Sequence, residues 1–309
     1  MEPLRNSEYS RFAQQILGFY VPLAIKLPAL RKDSSFMEAH VKAVGQTGIA
    51  DIVTGADKYM QQQIKDAAGA VHPEWQFWGE EGEDNVSKYD PAKSFLLITD
   101  PIEGTNNFRA EIDDQWGSVI ALVDSKIQEP VIGIVAHPTK RLFYVGVKGE
   151  GAYKLLYDEG GELLSSTSMQ SEPEPGYQQF TYNASPHFSP ELIHVVDNFL
   201  AMGQVEPDKE GATDLEKSRK AVQVADVTGR THTFVDTESG ALEAVRNRGT
   251  IYFKTSNEMA AVFVILGELG GKVTDADGKP WALGINTLIS ARTVDDYNYL
   301  KSLIDTVRK

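Results

Sequence analysis

The stretch Thr99-Asp100-Pro101-Ile102-Glu103-Gly104-Thr105-Asn106-Asn107-Phe108 concentrates chemistry in a short span. Asp100 and Glu103 offer carboxylates suited to hard cations, and Thr105 offers a hydroxyl. Gly104 lets the chain turn tightly, so that its amide and that of Thr105 can point at an anion. Together these are the parts of a metal-assisted phosphate site. The apolar run Phe95-Leu96-Leu97-Ile98 just before it reads as a buried strand, which puts Asp100 at the strand's end. Pro101 lacks an N–H and is expected to stop the ladder there.

Composition limits what such a site can serve. The chain has 309 residues, 41% of them hydrophobic, and a formal net charge of −14. That content builds a sizeable core, in one large domain or two modest ones sharing a cleft. The negative excess repels nucleic acid and anionic membrane, and repels a phosphorylated substrate too unless bound cations reverse the field locally. Cysteine is absent, which excludes disulfides and thiolate metal sites. The histidines show no paired metal spacing, and His137 reads as a strand-end residue. The apolar run 17–25 is too short for a bilayer and contains Pro22, and the N-terminus lacks a signal-peptide pattern. The expectation is a soluble cytoplasmic protein with neither nucleic-acid nor membrane partners.

The elements that must position these groups follow from periodicity. Phe12, Ile16, Leu17 and Tyr20 predict a helix over 8–21 that Pro22 ends. A second helix is expected over 34–45. Met60, Ile64, Ala67 and Ala68 share a face of a helix over 58–70, with Asp57 as its N-cap. The runs 119–124, 131–136 and 142–147 predict an antiparallel meander closed by Gly149-Glu150-Gly151. Residues 158–178, rich in Ser, Glu, Gly and Pro, read as a surface excursion and the boundary between two halves. A strand at 180–183 and a helix at 189–200 follow, and 203–220 is polar and charged. A strand at 251–254 leads to a buried helix over 258–269 that Gly270-Gly271 stops. A short strand at 273–275, a turn at Asp277-Gly278 and a final helix capped by Thr293 complete the chain. Pattern alone gives mixed α and β.

The opening stretch resembles the D-P-I-D-G-T-x-N-F signature of the inositol monophosphatase family, part of the magnesium-dependent, lithium-sensitive phosphatase superfamily. Asp51-Ile52-Val53-Thr54-Gly55-Ala56-Asp57 is similar to its D-x-V-T-x-x-D segment, and Gly79-Glu80-Glu81 to its G-E-E segment. Asn257-Glu258-Met259-Ala260-Ala261, followed by Gly267-Glu268-Leu269-Gly270-Gly271-Lys272-Val273-Thr274-Asp275, is similar to its W-D-x-A-A-G and E-A-G-G-x-V-T-D block. The blocks stand in the family's order. The resemblance implies an α+β or α/β fold, a layered α/β/α/β/α sandwich of two subdomains. Residues 1–175 would form the N-terminal α+β subdomain with most metal ligands. Residues 176–309 would form a C-terminal α/β subdomain supplying Glu258 and the substrate side of the cleft.

The resemblance also assigns roles. Asp100 would bridge metal ions, with Glu80 and the Ile102 carbonyl completing the shell of one and Glu103 and Glu258 holding another. Asp57 and Thr105 would form the water-activating pair, with Glu80 in the same catalytic set. Gly104, Thr105 and Glu103 would meet the phosphate. Thr54, Asp51 and Glu81 would give support, and Glu83 and Asp84 read as a solvated loop. The implied cofactor is Mg2+, about two or three ions per site. The implied activity is hydrolysis of inositol monophosphate or a similar polyol or sugar phosphate, in a homodimer. A catalytically altered member with a binding, regulatory or accessory role is the alternative, and a bisphosphate nucleotide or fructose bisphosphate phosphatase a further one.

Two departures stand out. Glu103 replaces the signature's second aspartate, and Asn257-Glu258 replaces W-D. Each acid keeps its charge and gains a methylene, against the narrow octahedral geometry of magnesium. Asn106-Asn107-Phe108 is closest to the inositol monophosphatase branch, whereas 206–250 matches the family poorly. Arg246 and Arg248 there read as a solvated turn. Asp57, Glu80, Asp100, Glu103 and Glu258 converging in one cleft would repel strongly without protons or cations to compensate.

Overall fold

The computed structural model describes residues 7–44, 50–81, 89–183, 222–225, 230–235 and 240–307. The expected helix at 189–200, the polar stretch 203–220 and the acids Glu83 and Asp84 lie outside the described residues.

Helix α1 (Glu8–Leu30) begins at Ser7, whose side chain accepts from the Ser10 amide, and continues through Pro22 and Pro28. Pro22 therefore does not end it. Each internal proline costs about 3 kcal/mol. The stripe Ala13, Ile16, Leu17, Tyr20, Val21, Ala24 and Leu27 stays buried across both prolines, and each large apolar side chain returns about 1.5–3 kcal/mol. The helix expected over 34–45 is also absent. A single 3-10 turn, Ser34–Phe36, leads into β1 (Ala39–Val44), which pairs antiparallel with β2 (Ala50–Thr54). The β-branched Val41 suits that pairing better than a helix.

Helix α2 (Gly55–Val71) starts earlier than its apolar face suggests. Thr54 and Asp57 form a reciprocal capping box, so Asp57 lies inside the first turn and is not the N-cap.

A seven-stranded sheet follows in chain order. Its strands are β3 (Gln76–Gly79), β4 (Phe95–Glu103), β5 (Gly117–Asp124), β6 (Glu129–His137), β7 (Leu142–Val147), β8 (Gly151–Tyr157) and β9 (Leu163–Ser168). β3 runs parallel to β4, and every other pair is antiparallel. The meander thus continues past Gly149-Glu150-Gly151, and part of the supposed surface excursion is an edge strand. β9 is made of leucines, serines and a threonine and is largely exposed, the polar edge that protects a sheet from further pairing. Pro101 does not end β4 either. The β4–β5 register shifts between Asp100 and Glu103, and the proline sits in that irregularity, where the ladder is already interrupted. The short helix α3 (Thr105–Arg109) then begins directly after Gly104.

The second sheet has six strands: β10 (Gln179–Asn183), β11 (Val222–Ala225), β12 (Thr231–Val235), β13 (Gly249–Lys254), β14 (Lys272–Thr274) and β15 (Thr287–Ala291). Their spatial order is β11-β12-β10-β13-β15-β14. Helices α4 (Gly240–Arg246) and α5 (Ser256–Glu268) pack on the seven-stranded sheet through Leu96, Ile98, Val119, Ala121 and Val135. They also touch β13 and β14 of the second sheet. α1 and α2 cover the other face of the first sheet, and α6 (Val294–Val307), capped by Thr293, covers the second with Leu300 and Ile304. The layers therefore run helix, sheet, helix, sheet, helix, as the motif order implies. Contact in the middle is close: a Cβ on Gly133 would lie 2.2 Å from the Ala261 carbonyl oxygen, and one on Gly146 2.8 Å from the Ile265 backbone. Among the described residues no helix is long and apolar enough to cross a membrane.

Candidate active site

Four elements deliver the acids to one place. β4 brings Asp100, Ile102 and Glu103, and the chain leaving β3 brings Glu80 and Glu81, with the Glu80 amide donating to the Thr99 carbonyl at 3.1 Å. α2 contributes Asp57 and α5 contributes Glu258, which forms a capping box with Thr255. Asp100 and Glu103 are each 1% exposed. The Ile102 side chain is buried in the core, which leaves only its carbonyl for the site. Gly104 has φ +90°, and a Cβ there would lie 3.0 Å from the Gln115 carbonyl oxygen, so the turn requires glycine.

Asp57 and Thr105 meet as the motifs suggest. The Thr105 hydroxyl lies 3.2 Å from Asp57 Oδ1 and 3.1 Å from the Ile102 carbonyl oxygen. Asp57 Oδ2 accepts from the Thr54 amide at 2.8 Å and from the Thr54 hydroxyl at 2.5 Å. Burial pushes the Asp57 carboxyl up to about 6, the Thr54 donors and Lys42 opposing the rise and Glu80 adding to it.

Asp100 is the electrostatic centre. Burial, then the charges of Glu80, Glu258 and Glu103, hold its carboxyl well above the usual range. Its Oδ1 is buried without a hydrogen-bond partner among the described residues. An unpartnered carboxylate oxygen with acids around it fits a divalent cation. Burial also raises Glu103 and Glu81 to about 7 each, against the opposing charges of Lys254 and Lys42. For Glu258, burial works upward but Lys254 and the Thr255 donors outweigh it, and the carboxyl stays below its ordinary value.

Among the described residues, no three acidic or histidine side chains converge as a ready-made ion cage. Lysine ammonium groups pair with them instead. Lys42 Nζ lies 2.8 Å from Glu80 Oε1 and 2.6 Å from Glu81 Oε1. Lys254 Nζ lies 2.8 Å from Glu258 Oε1 and 3.3 Å from Glu103 Oε1. Neither lysine belongs to the acidic motifs, nor does Gln61. From α2, Gln61 donates to the Glu81 carbonyl at 2.5 Å and accepts from the Glu81 amide at 2.8 Å. It fixes the loop that carries Glu80. A signal existed for Lys254, which ends a strand and stands four residues before Glu258 in a T-x-x-E capping pattern.

Contrary to the solvated turn expected, Arg246 is buried, lies over the Tyr177 ring and donates to the Asp114 carbonyl at 3.3 Å. Arg248 pairs with Asp296 at 3.0 Å and Glu172 at 3.4 Å, so both arginines tie elements together. Asn257 is buried and accepts from the Thr255 hydroxyl. The side chain of Asp51 lies outside the described residues. His137 does end a strand, and donor or acceptor contact joins its Nε2 to the Asp113 carbonyl at 2.8 Å.

Known proteins share this arrangement of elements. Inositol monophosphatase 2 of Rattus norvegicus is 25% identical over 275 residues, 88% of this chain and 84% of that protein. Inositol monophosphatase 2 of Saccharomyces cerevisiae is 35% identical over 104 residues, only 33% of this chain and 34% of its own length. The solved IMPase of Thermotoga maritima superposes with a TM-score of 0.61 at 20% identity, covering 94% of this chain and 97% of that one. The match to the inositol monophosphatase family, whose named members are phosphoric monoester hydrolases, spans residues 13–309. The chain belongs to the inositol monophosphatase family.

Proposed function

We propose that this chain is a divalent-metal-dependent phosphomonoesterase that hydrolyses inositol monophosphate or a similar polyol or sugar phosphate. The carrying observation is the Thr105–Asp57 hydrogen bond beside Asp100, whose Oδ1 has no partner among the described residues. Glu80, Asp100 and the Ile102 carbonyl are the groups we assign to a Mg2+ ion, which supplies Lewis acidity and positive charge for the phosphate. Glu103 and Glu258 we assign to the far side of Asp100, where the lysine pairing fits a further divalent ion poorly as it stands. Gly104 and Thr105 form the turn we place against the phosphate. We take residues 1–175 and 176–309 as the two subdomains, with the substrate's polyol side met by the second. The family resemblance further supports a homodimer in the cytoplasm.

The chemistry assigned to the chain is proton handling. The Thr105 hydroxyl donates a hydrogen bond to Asp57, which leaves its oxygen lone pairs free to accept one from an attacking water. Asp57, raised to about 6, is balanced to receive a proton near neutral pH. As water's oxygen bonds to phosphorus, its proton passes through Thr105 to Asp57. The ester P–O bond breaks, the departing alkoxide takes a proton from solvent water to become the alcohol, and Asp57 returns its proton to solvent. Thr54 keeps Asp57 oriented throughout. No covalent phosphoenzyme forms.

The test is release of inorganic phosphate from inositol 1-phosphate and a panel of sugar phosphates, with chelator and then with Mg2+ restored. Activity lost and regained is the expected result. Undiminished activity in chelator overturns the metal-dependent reading, and no activity on any ester favours a binding or regulatory member.

A further inference from the structure

Lys254 stands where β13 hands over to α5, and its side chain is built into the fold. A Cβ on Gly240 would lie 2.8 Å from Lys254 Cε and 3.1 Å from Cγ, so the lysine stem packs directly against the start of α4. The Lys254 side chain is 11% exposed, and the Glu103 it faces 1%. Both carboxylates are also fastened from behind. Glu103 accepts from the Ala241 amide at 2.9 and 3.1 Å, and Glu258 Oε2 accepts from the Thr255 amide and hydroxyl at 2.7 Å each.

Magnesium binds oxygen at about 2.0–2.1 Å in strict octahedral geometry. The separations of 2.8 and 3.3 Å around Lys254 Nζ are those of an ammonium ion that donates hydrogen bonds. An ammonium held by two buried carboxylates is costly to remove, because the acids are then left uncompensated. The two glutamates and the lysine form one arrangement in which the longer acids reach a protein-borne cation.

We propose that Lys254 is a resident monocation in the place of a second divalent ion, so that the site binds about one divalent ion fewer than the same carboxylates would without the lysine. This rests on the metal-dependent reading above. Glu103, Glu258 and Lys254 then form a fixed wall of the phosphate pocket, and exchangeable metal is confined to the Asp100–Glu80 side.

The experiment counts ions. Protein stripped with chelator is titrated with Mn2+, and bound ion is read by electron paramagnetic resonance for the wild type and Lys254→Met. The variant keeps the stem length and removes the charge. It is expected to bind about one more Mn2+ per chain. Equal counts overturn the proposal. A second arm avoids the uncompensated acids of that variant: Glu258→Gln keeps the hydrogen bonds to Thr255. Its Mn2+ count is expected to match the wild type, and a loss of about one ion overturns the proposal. Phosphate release from inositol 1-phosphate is followed on the same wild-type samples. Its absence overturns the proposed activity alone, since the ion counts judge the lysine whether or not ester is cleaved.

Discussion

Lys42 and Lys254 each hold two carboxylates beside Asp100, from opposite constructions. Lys42 reaches in from the two-stranded ribbon β1–β2; its side chain and that of Glu80 are 24% and 31% exposed, while its other acid, Glu81, is 7% exposed. Lys254 comes from an interior strand of the six-stranded sheet and meets acids that are almost wholly buried. Water competes for the Lys42–Glu80 contact, so that half of the first pairing is worth little and an arriving ion can displace it. The second pairing has no water to fall back on, and its loss leaves naked charge inside the protein. The same chemistry serves as a removable plug on one side and as masonry on the other.

The largest expected effect lies between the two pairs. Asp100→Asn should lower phosphate release about a thousandfold or more, equivalent to about 4 kcal/mol. Because it removes a buried charge, its Tm in chelator should equal or exceed the wild type's, and a large drop would show Asp100 to be structural. Next, Lys254→Met should cost about 3–5 kcal/mol in urea unfolding under chelator. A buried group outside both pairs calibrates this scale. Burial holds His137 down at about 4, Arg246 and Lys140 acting in the same sense and the Asp113 carbonyl and Asp114 against it. Its folded value lies below its unfolded value, so the unfolded chain binds the extra proton. Stability is therefore lost as pH falls from about 6.5 to about 4, by up to about 3 kcal/mol. His137→Gln should flatten that part of the unfolding profile. The smallest effect belongs to Lys42→Met, about 1–2 kcal/mol, because Glu80 keeps its contact with water and only Glu81 is left buried without its partner. If it matches Lys254→Met, the contrast between plug and masonry fails.

Residues 95–98, the runs that became β5, β6 and β7, and α5 with its Gly270 stop were legible because their signals are local. The same holds for Gly104, whose left-handed φ the turn required, and for Asp57 and Thr105, named by motif and joined by a hydrogen bond. What escaped reading depended on partners distant in sequence. Pro22 looked like a helix end until the buried stripe of α1 met the sheet. The stretch 39–44 looked helical until it paired with 50–54. Lys254 has a local relation to Glu258, but its second acid, Glu103, lies on another sheet. Gln61 carries no sequence mark at all, since its two bonds are to the backbone of Glu81.

The middle layer has a consequence for biosynthesis. α5 closes over Gly133 and Gly146, yet it leaves the ribosome long after the seven-stranded sheet has been made. At about 5–20 residues per second, several seconds pass in which Leu96, Ile98, Val119, Ala121, Val123 and Val135 have nothing to cover them. A nascent chain in that interval displays an apolar sheet face to its neighbours on the polysome. The yield of this protein in a cell is then governed by how that face is shielded during translation, a kinetic matter to which the stability of the finished fold is indifferent.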